Sequence, residues 1–278
     1  MEPSTLATVL ILTSAALHAV WNAMVKRSPD KMAAMVFISG WGGLLYLPLI
    51  PLAPLPDASM MAFIAASTAI HLIYQLSLTR ALDVGELTFV YPIARGLGPL
   101  LVAVFSLFFL PGDFDPLEFV AVLVLVSGIF LTTRNKTGNR AGLGAAILTG
   151  CMIASYTLID GTAVKAAENP LTYVIWSGIA FAPILMTYTS LRHGRRYLWQ
   201  CLGAWRHGLP ASLMANTGYA IALYALSVGT IGEIAALRET SILFATLIGA
   251  LWLKEKVTSL KVLAVSLIAL GAVGLKLI

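Results

Sequence analysis

The sequence predicts an all-α membrane protein: ten transmembrane helices in two inverted five-helix repeats around a central cavity. Three observations predict it. Of the 278 residues, 59% are hydrophobic and 11% charged, where a soluble domain carries about 25% charged residues. The apolar residues come in runs of about 20, the length a helix rising ~1.5 Å per residue needs to cross a ~30 Å hydrocarbon core. The two halves also resemble each other at a spacing of 143 to 144 residues. Closed β-barrels are the other spanning structure, but the runs lack the period-2 alternation of strands.

The first span runs from about Thr5 to Val25. Its apolar stretch is too long for a signal peptide, no basic segment precedes it, and it holds His18, Trp21 and Asn22. The second is about Met32–Ala53, followed by the turn-rich PLAPLPDAS. The third is about Ser59–Leu82, the fourth about Glu86–Leu110 and the fifth about Pro116–Thr133. After RNKTGNRAG come the sixth, about Leu143–Val164, and the seventh, about Leu171–Leu191. A basic loop, RHGRRYLWQCLGAWRHG, leads to the eighth (about Leu209–Val228), the ninth (about Ile231–Leu253) and the tenth (about Leu260–Leu277). The charged ends FLPGDFDP and LWLKEKVT read as solvated helix ends.

Loop charge sets the orientation. The loops after odd-numbered spans hold 14 basic residues: Lys26, Arg27, Lys31, Arg80, Arg134, Lys136, Arg140, Arg192, Arg195, Arg196, Arg206, Lys254, Lys256 and Lys261. The other side holds 2, Lys165 and Lys276. The positive-inside rule therefore puts both termini outside, in a multi-pass protein expected in a bacterial inner membrane. The net charge of +5 belongs to these loops and gives no argument for nucleic acid. Cys151 and Cys201 lack metal or disulfide spacing and read as small buried hydrophobes.

ALDVG at 81–85 matches ALSVG at 225–229, and LEFVAVLVLVSGIFL from Leu117 matches LKVLAVSLIALGAVGL from Leu260. The same offset sets Arg95 of YPIARG over Arg238 of AALRET. The units are residues 1–138 and 139–278. Five spans each is an odd number, so the halves enter the membrane in opposite senses, a common plan among secondary transporters.

This architecture and the repeat resemble the drug/metabolite transporter superfamily, and within it the EamA-type permeases. The fragments LHAVWNAMVK and VYPIARGLGPLL resemble a subgroup named for its association with phosphonate use. The resemblance implies a bundle whose cavity is lined by the first, third, fourth, sixth, eighth and ninth helices. It also implies peripheral fifth and tenth helices that serve a homodimer contact.

Ionisable side chains inside spans are costly and need a partner or water. Arg95 stands about 13 Å from one end of its span and Arg238 about 10 Å from the opposite end of its own. Both can therefore approach the midplane. Guanidinium suits carboxylate, phosphonate or phosphate through paired hydrogen bonds, so the two form a candidate anion clamp. The structural alternative pairs Arg238 with Glu239, Glu233 or Asp160, and Arg95 with carbonyls freed by Pro92. The proline and glycines near Arg95 also favour irregular backbone, which membranes tolerate beside a cavity. His18, Trp21 and Asn22 share one face of the first helix, as do His71, Tyr74 and Gln75 of the third. Tyr91 precedes Arg95 by one turn, Tyr156 precedes Asp160 by one turn, and Asn216 neighbours Tyr219. These residues complete the candidate solute site, the alternative for any single pair being interhelical glue. Asp160 and Glu239 are the candidate proton carriers. Trp41 and Trp176 read as packing or interface anchors, Trp199 and Trp205 as residues on the headgroup layer.

The function expected is alternating-access transport of a small polar anion or zwitterion: an amino acid, organic acid or phosphonate. No G-x-x-x-x-G-K-[ST] loop is present, so ATP does not drive it directly, and no cofactor or metal is expected. A membrane enzyme would need motifs such as H-E-x-x-H or G-x-S-x-G, which the sequence lacks. A non-transporting sensor or assembly subunit would need a soluble readout domain, for which the loops are too short.

Overall fold

Runs of apolar residues with no water to satisfy the backbone must close their hydrogen bonds internally, and here they do so as helices. The structure, a computed structural model, describes residues 3–28, 31–84, 87–110, 115–131, 142–252 and 258–277. The side chain of Tyr91, the repeat boundary at 138/139 and the centres of the charged ends FLPGDFDP and LWLKEKVT lie outside the described residues.

The first span is α1 (Pro3–Arg27). The second starts as α2 (Lys31–Ser39) and, past Gly40, tightens into a 3-10 helix over Trp41–Leu52. Pro48 and Pro51 lie inside that stretch and each removes a backbone donor. At ~2.0 Å per residue, the 3-10 form also crosses the same depth with fewer residues. Then follow α3 (Ala58–Val84), α4 (Leu87–Phe109), α5 (Pro116–Leu131), α6 (Leu143–Ala166) and α7 (Pro170–His193). Asn169 caps α7 by accepting from the Leu171 N–H, with Pro170 in the first turn, where its missing N–H costs nothing. The basic loop folds as α8 (Arg195–Cys201) and a 3-10 turn (Leu202–Ala204) before α9 (Trp205–Val228). The ninth span is interrupted: α10 (Ile231–Leu237), a 3-10 turn (Arg238–Thr240), then α11 (Ser241–Leu251). The last is α12 (Ser259–Leu277). Among the described residues nine spans are long and apolar enough to cross a membrane, and α5 is a shorter apolar helix.

One sequence expectation about backbone is corrected here. Irregularity was expected around Arg95, yet α4 runs through Pro92 and Pro99 without a break. The break falls instead at Arg238, in a stretch with neither proline nor glycine. The short helix α8 presents Arg195, Arg196 and Trp199 outward while Cys201 is buried against Ala33 and Val36. The Trp41 indole donates to the Leu198 carbonyl at 3.2 Å, and its ring lies 5.4 Å from that of Trp199. The Trp176 indole donates to the Pro54 carbonyl at 3.0 Å.

Helices pack in reciprocal pairs: α1 on α9 and α3 on α6, α4 on α6 and α1 on α11, α5 on α12. The α5–α12 seam shows why small residues are needed. A Cβ on Gly128 would meet the Ala264 carbonyl and Ile268, and one on Gly271 would meet the Ala121 carbonyl and Leu125, all within 2.9 Å or less. Outward, α5 shows Leu117, Val120 and Leu123 and α12 shows Leu263, Leu270 and Val273, apolar faces of the kind lipid requires.

Candidate functional site

Between the helices lies a cavity of about 230 Å³, room for about eight waters at ~30 Å³ each. Of the residues singled out from sequence, His18 and Trp21 (α1), His71, Tyr74 and Gln75 (α3), Tyr156 (α6), Asn216 and Tyr219 (α9) and Arg238 all line it. The periodicity argument therefore found the right faces of α1, α3, α6 and α9. Asn22 is turned back onto its own helix, donating to the His18 carbonyl at 2.7 Å. The second and seventh spans line the cavity as well, through Met35, Ile38, Ser39, Gly43 and Tyr46 and through Ser177, Gly178 and Phe181. The fourth contributes no lining residue among those described, contrary to what the family resemblance implies.

The two arginines part company. Arg95 is buried, with its Nε 3.0 Å from Glu239 Oε2 and its Nη2 donating to Ser241 Oγ at 3.2 Å. Glu239 is therefore the partner of Arg95, not of Arg238. Glu233, the other carboxylate considered for Arg238, pairs with Lys276 at 2.7 Å. Arg238 is partly exposed on the cavity wall. Its Nη2 donates to the Tyr156 hydroxyl at 2.9 Å, its guanidinium carbon lies 5.8 Å from the Tyr156 ring centre, and among the described residues it makes no ion pair. The lining described includes no aspartate or glutamate.

An aromatic cluster surrounds His71. Its ring stacks on Tyr156 at 4.1 Å and meets Phe181 and Tyr219 edge-on, each at 5.9 Å. His71 Nδ1 lies 2.9 Å from the Ser67 carbonyl. A carbonyl only accepts, so Nδ1 carries a hydrogen. Behind His71, Asp160 is buried just outside the cavity and takes three hydroxyl donors: Ser67 at 2.5 Å and Tyr173 at 2.6 Å to Oδ1, Tyr219 at 2.7 Å to Oδ2. No cation pairs with Asp160 among the described residues; fixed O–H dipoles stand where a cation would. The group ties α3, α6, α7 and α9 together.

Ser67 and Tyr173 are functional candidates that sequence reasoning missed. Ser67 stands one turn before His71, a signal that was there to use. Tyr173 sits three residues into α7, where an anchoring aromatic is ordinary. Among the described residues no group of three or more His, Cys, Asp or Glu could hold a metal ion.

Residues 140–277 match the model of the EamA-like transporter family. The match is to the family as a whole and does not reach the phosphonate-associated subgroup. No curated protein matches the chain. Among solved structures 29 chains match, one of them described simply as "Crystal structure of protein". It is 17% identical and superposes with a TM-score of 0.70 over 99% of this chain and 98% of its own. At that identity the likeness shows the fold alone.

Proposed function

We propose that this protein, whose residues 140–277 match the EamA-like transporter family, is a secondary transporter that binds a small polar anion or zwitterion at Arg238. The family match supports membrane transport; the solute class and the mechanism are our reading. The observation that carries it is the state of Arg238: a guanidinium on the cavity wall, with no carboxylate in ion-pair contact with it among the described residues. Such a cation is stable beside lipid only where water or an anion meets it. Asn216, Gln75, Tyr74 and His18 supply further polar contacts for the solute, which would be an amino acid, organic acid or phosphonate.

The inverted repeat supports alternating access. Adding 143 to Ala121, Leu125 and Gly128 gives Ala264, Ile268 and Gly271, and these are the residues that meet across the α5–α12 seam. The reciprocal packing of α1 on α9 and α3 on α6 follows the same exchange of halves. The interruption of the ninth span at Arg238 suits a midplane site, since broken helices mark such sites in transporters. With both termini outside, the Asp160 tie lies in the outer half, six residues before the end of α6. The cavity lining continues towards Trp21, Met35 and Leu78, near the basic ends of the helices. This arrangement is closed outside and reads as inward-facing. A homodimer would use the outer faces of α5 and α12.

Reconstitution into liposomes tests the reading. Wild type takes up labelled solutes from a panel of amino acids, organic acids and phosphonates, and Arg238→Ala, equally well folded, does not. Equal uptake by both would refute the role of Arg238, and no uptake of any panel member by wild type would refute the solute class.

A further inference from the structure

We infer that His71, Ser67 and Asp160 form a proton relay that couples one proton to each monoanion bound at Arg238. This deepens the anion reading above and rests on it. The geometry is continuous. The one hydrogen on His71 Nδ1 is shared between the Ser67 carbonyl at 2.9 Å and Ser67 Oγ at 3.2 Å, and Ser67 Oγ donates to Asp160 Oδ1 at 2.5 Å. The other ring nitrogen, Nε2, has no hydrogen-bond partner among the described residues and is not sealed from the cavity that His71 lines. The relay thus has an open end in the cavity and a closed end at a buried carboxyl.

The transfer balances. Nε2 takes a proton from cavity water. Nδ1 gives its hydrogen to Ser67 Oγ, which gives its own to Asp160 Oδ1. His71 ends neutral in its other tautomer, Ser67 is unchanged, and Asp160 is neutral. One proton has moved from water to the carboxyl and no bond to carbon has changed.

Charge supplies the reason for coupling. Around the cavity the described ionic groups are Arg238 on the wall, Asp160 one hydroxyl layer behind it and the mutually neutralising Arg95–Glu239 pair beyond, so the empty site is balanced. A monoanion on Arg238 leaves an excess negative charge in a region of low dielectric, and a proton on Asp160 removes it. By linkage the anion then raises the site's affinity for a proton, and the proton raises its affinity for the anion. A zwitterion adds no net charge and draws no proton.

The groups that face His71 are compatible with this path. Tyr74 is on its own helix, Tyr156 and Asp160 on α6, Tyr173 on α7 and Tyr219 on α9. Arg238 stands beyond Tyr156, and His18 is across the cavity on α1. From α4, Arg95 is held by Glu239. Asp160 is thus the carboxyl within reach of His71 among the described residues.

Two measurements on the purified full-length protein test this. The first needs no solute. After a pH jump, infrared difference spectra of wild type are expected to show a carboxylic C=O band that Asp160→Asn lacks. In Ser67→Ala and His71→Gln the band should appear at least about tenfold more slowly, as loss of a positioned proton carrier predicts. A band that persists in Asp160→Asn, the absence of any titrating carboxyl band, or an unchanged rate in both relay variants would overturn the relay. The second uses acetate, lactate and benzoate, monoanions at neutral pH. With whichever raises the melting temperature, an indicator dye in weakly buffered solution should report uptake of about one proton per anion bound, by the linkage above, and none in Asp160→Asn. Zero uptake by wild type would overturn the coupling while leaving anion binding intact. If none of the three stabilises the protein, monoanion binding at Arg238 and the coupling built on it both fall, and the infrared result decides the relay separately.

Discussion

Arg95 and Arg238 stand 143 residues apart, the spacing at which the sequence of the second half resembles that of the first. One lies against Glu239 in a buried ion pair; the other faces the cavity with Tyr156 as its bonded partner. The difference arises from the residue after Arg238: the Glu239 carboxylate lies 3.0 Å from Arg95 and makes no ion pair with Arg238. Under the function proposed above, the two arginines divide into a structural one and a binding one. The structural one also anchors the interrupted ninth span to the unbroken α4, which holds the turn carrying Arg238 in place.

The sharpest way to break this comparison is to unmake the sealed pair. Glu239→Ala removes the carboxylate that pairs with a buried guanidinium and should cost about 3–5 kcal/mol of stability, seen as a large fall in unfolding midpoint in detergent. The double variant Arg95→Met, Glu239→Leu should recover most of that loss. A small effect of Glu239→Ala alone would mean that water reaches Arg95. Next in size, Arg238→Ala should reduce solute affinity about 100-fold, roughly 2.7 kcal/mol, in a binding titration, with little change in melting temperature. Arg238→Lys should fall well short of wild type, because a point charge does not replace a planar fork. A third change sharpens the equivalence of the halves: Gly128→Leu and Gly271→Leu overpack one seam from its two sides. Each should cost about 1–3 kcal/mol and by similar amounts. The smallest effect is expected from Ser241→Ala, which removes one bond to Arg95 and should cost about 1 kcal/mol without slowing uptake. Slowed uptake in that variant would put Arg95 in the transport path.

The fold and much of the cavity were legible because a polar side chain in a lipid-length apolar run is expensive. His18, Trp21, His71, Tyr74, Gln75, Tyr156, Asn216 and Tyr219 were conspicuous for that reason, and each lines the cavity. The contributions of the second and seventh spans were not legible. They enter through Gly43, Gly178, Ile38 and Phe181, ordinary residues of any apolar helix, whose close approach depends on packing between spans distant in sequence. Which carboxylate meets which arginine was likewise beyond reach. Glu239 is adjacent to Arg238 along the chain, but a 3-10 turn rotates it onto α4. Proline and glycine pointed to Arg95 for broken backbone, whereas the 3-10 turn formed at Arg238–Thr240.

The central claim is that Arg238 meets solvent in a solute cavity while Arg95 does not. It is tested most directly by labelling in native membranes, in a background of Cys151→Ser and Cys201→Ser. Cysteine introduced as Arg238→Cys should react readily with a charged methanethiosulfonate and be protected by a transported anion. Cysteine introduced as Arg95→Cys, together with Glu239→Gln, should stay unreactive until the protein is denatured. Equal labelling at both positions, or none at 238, would contradict the account.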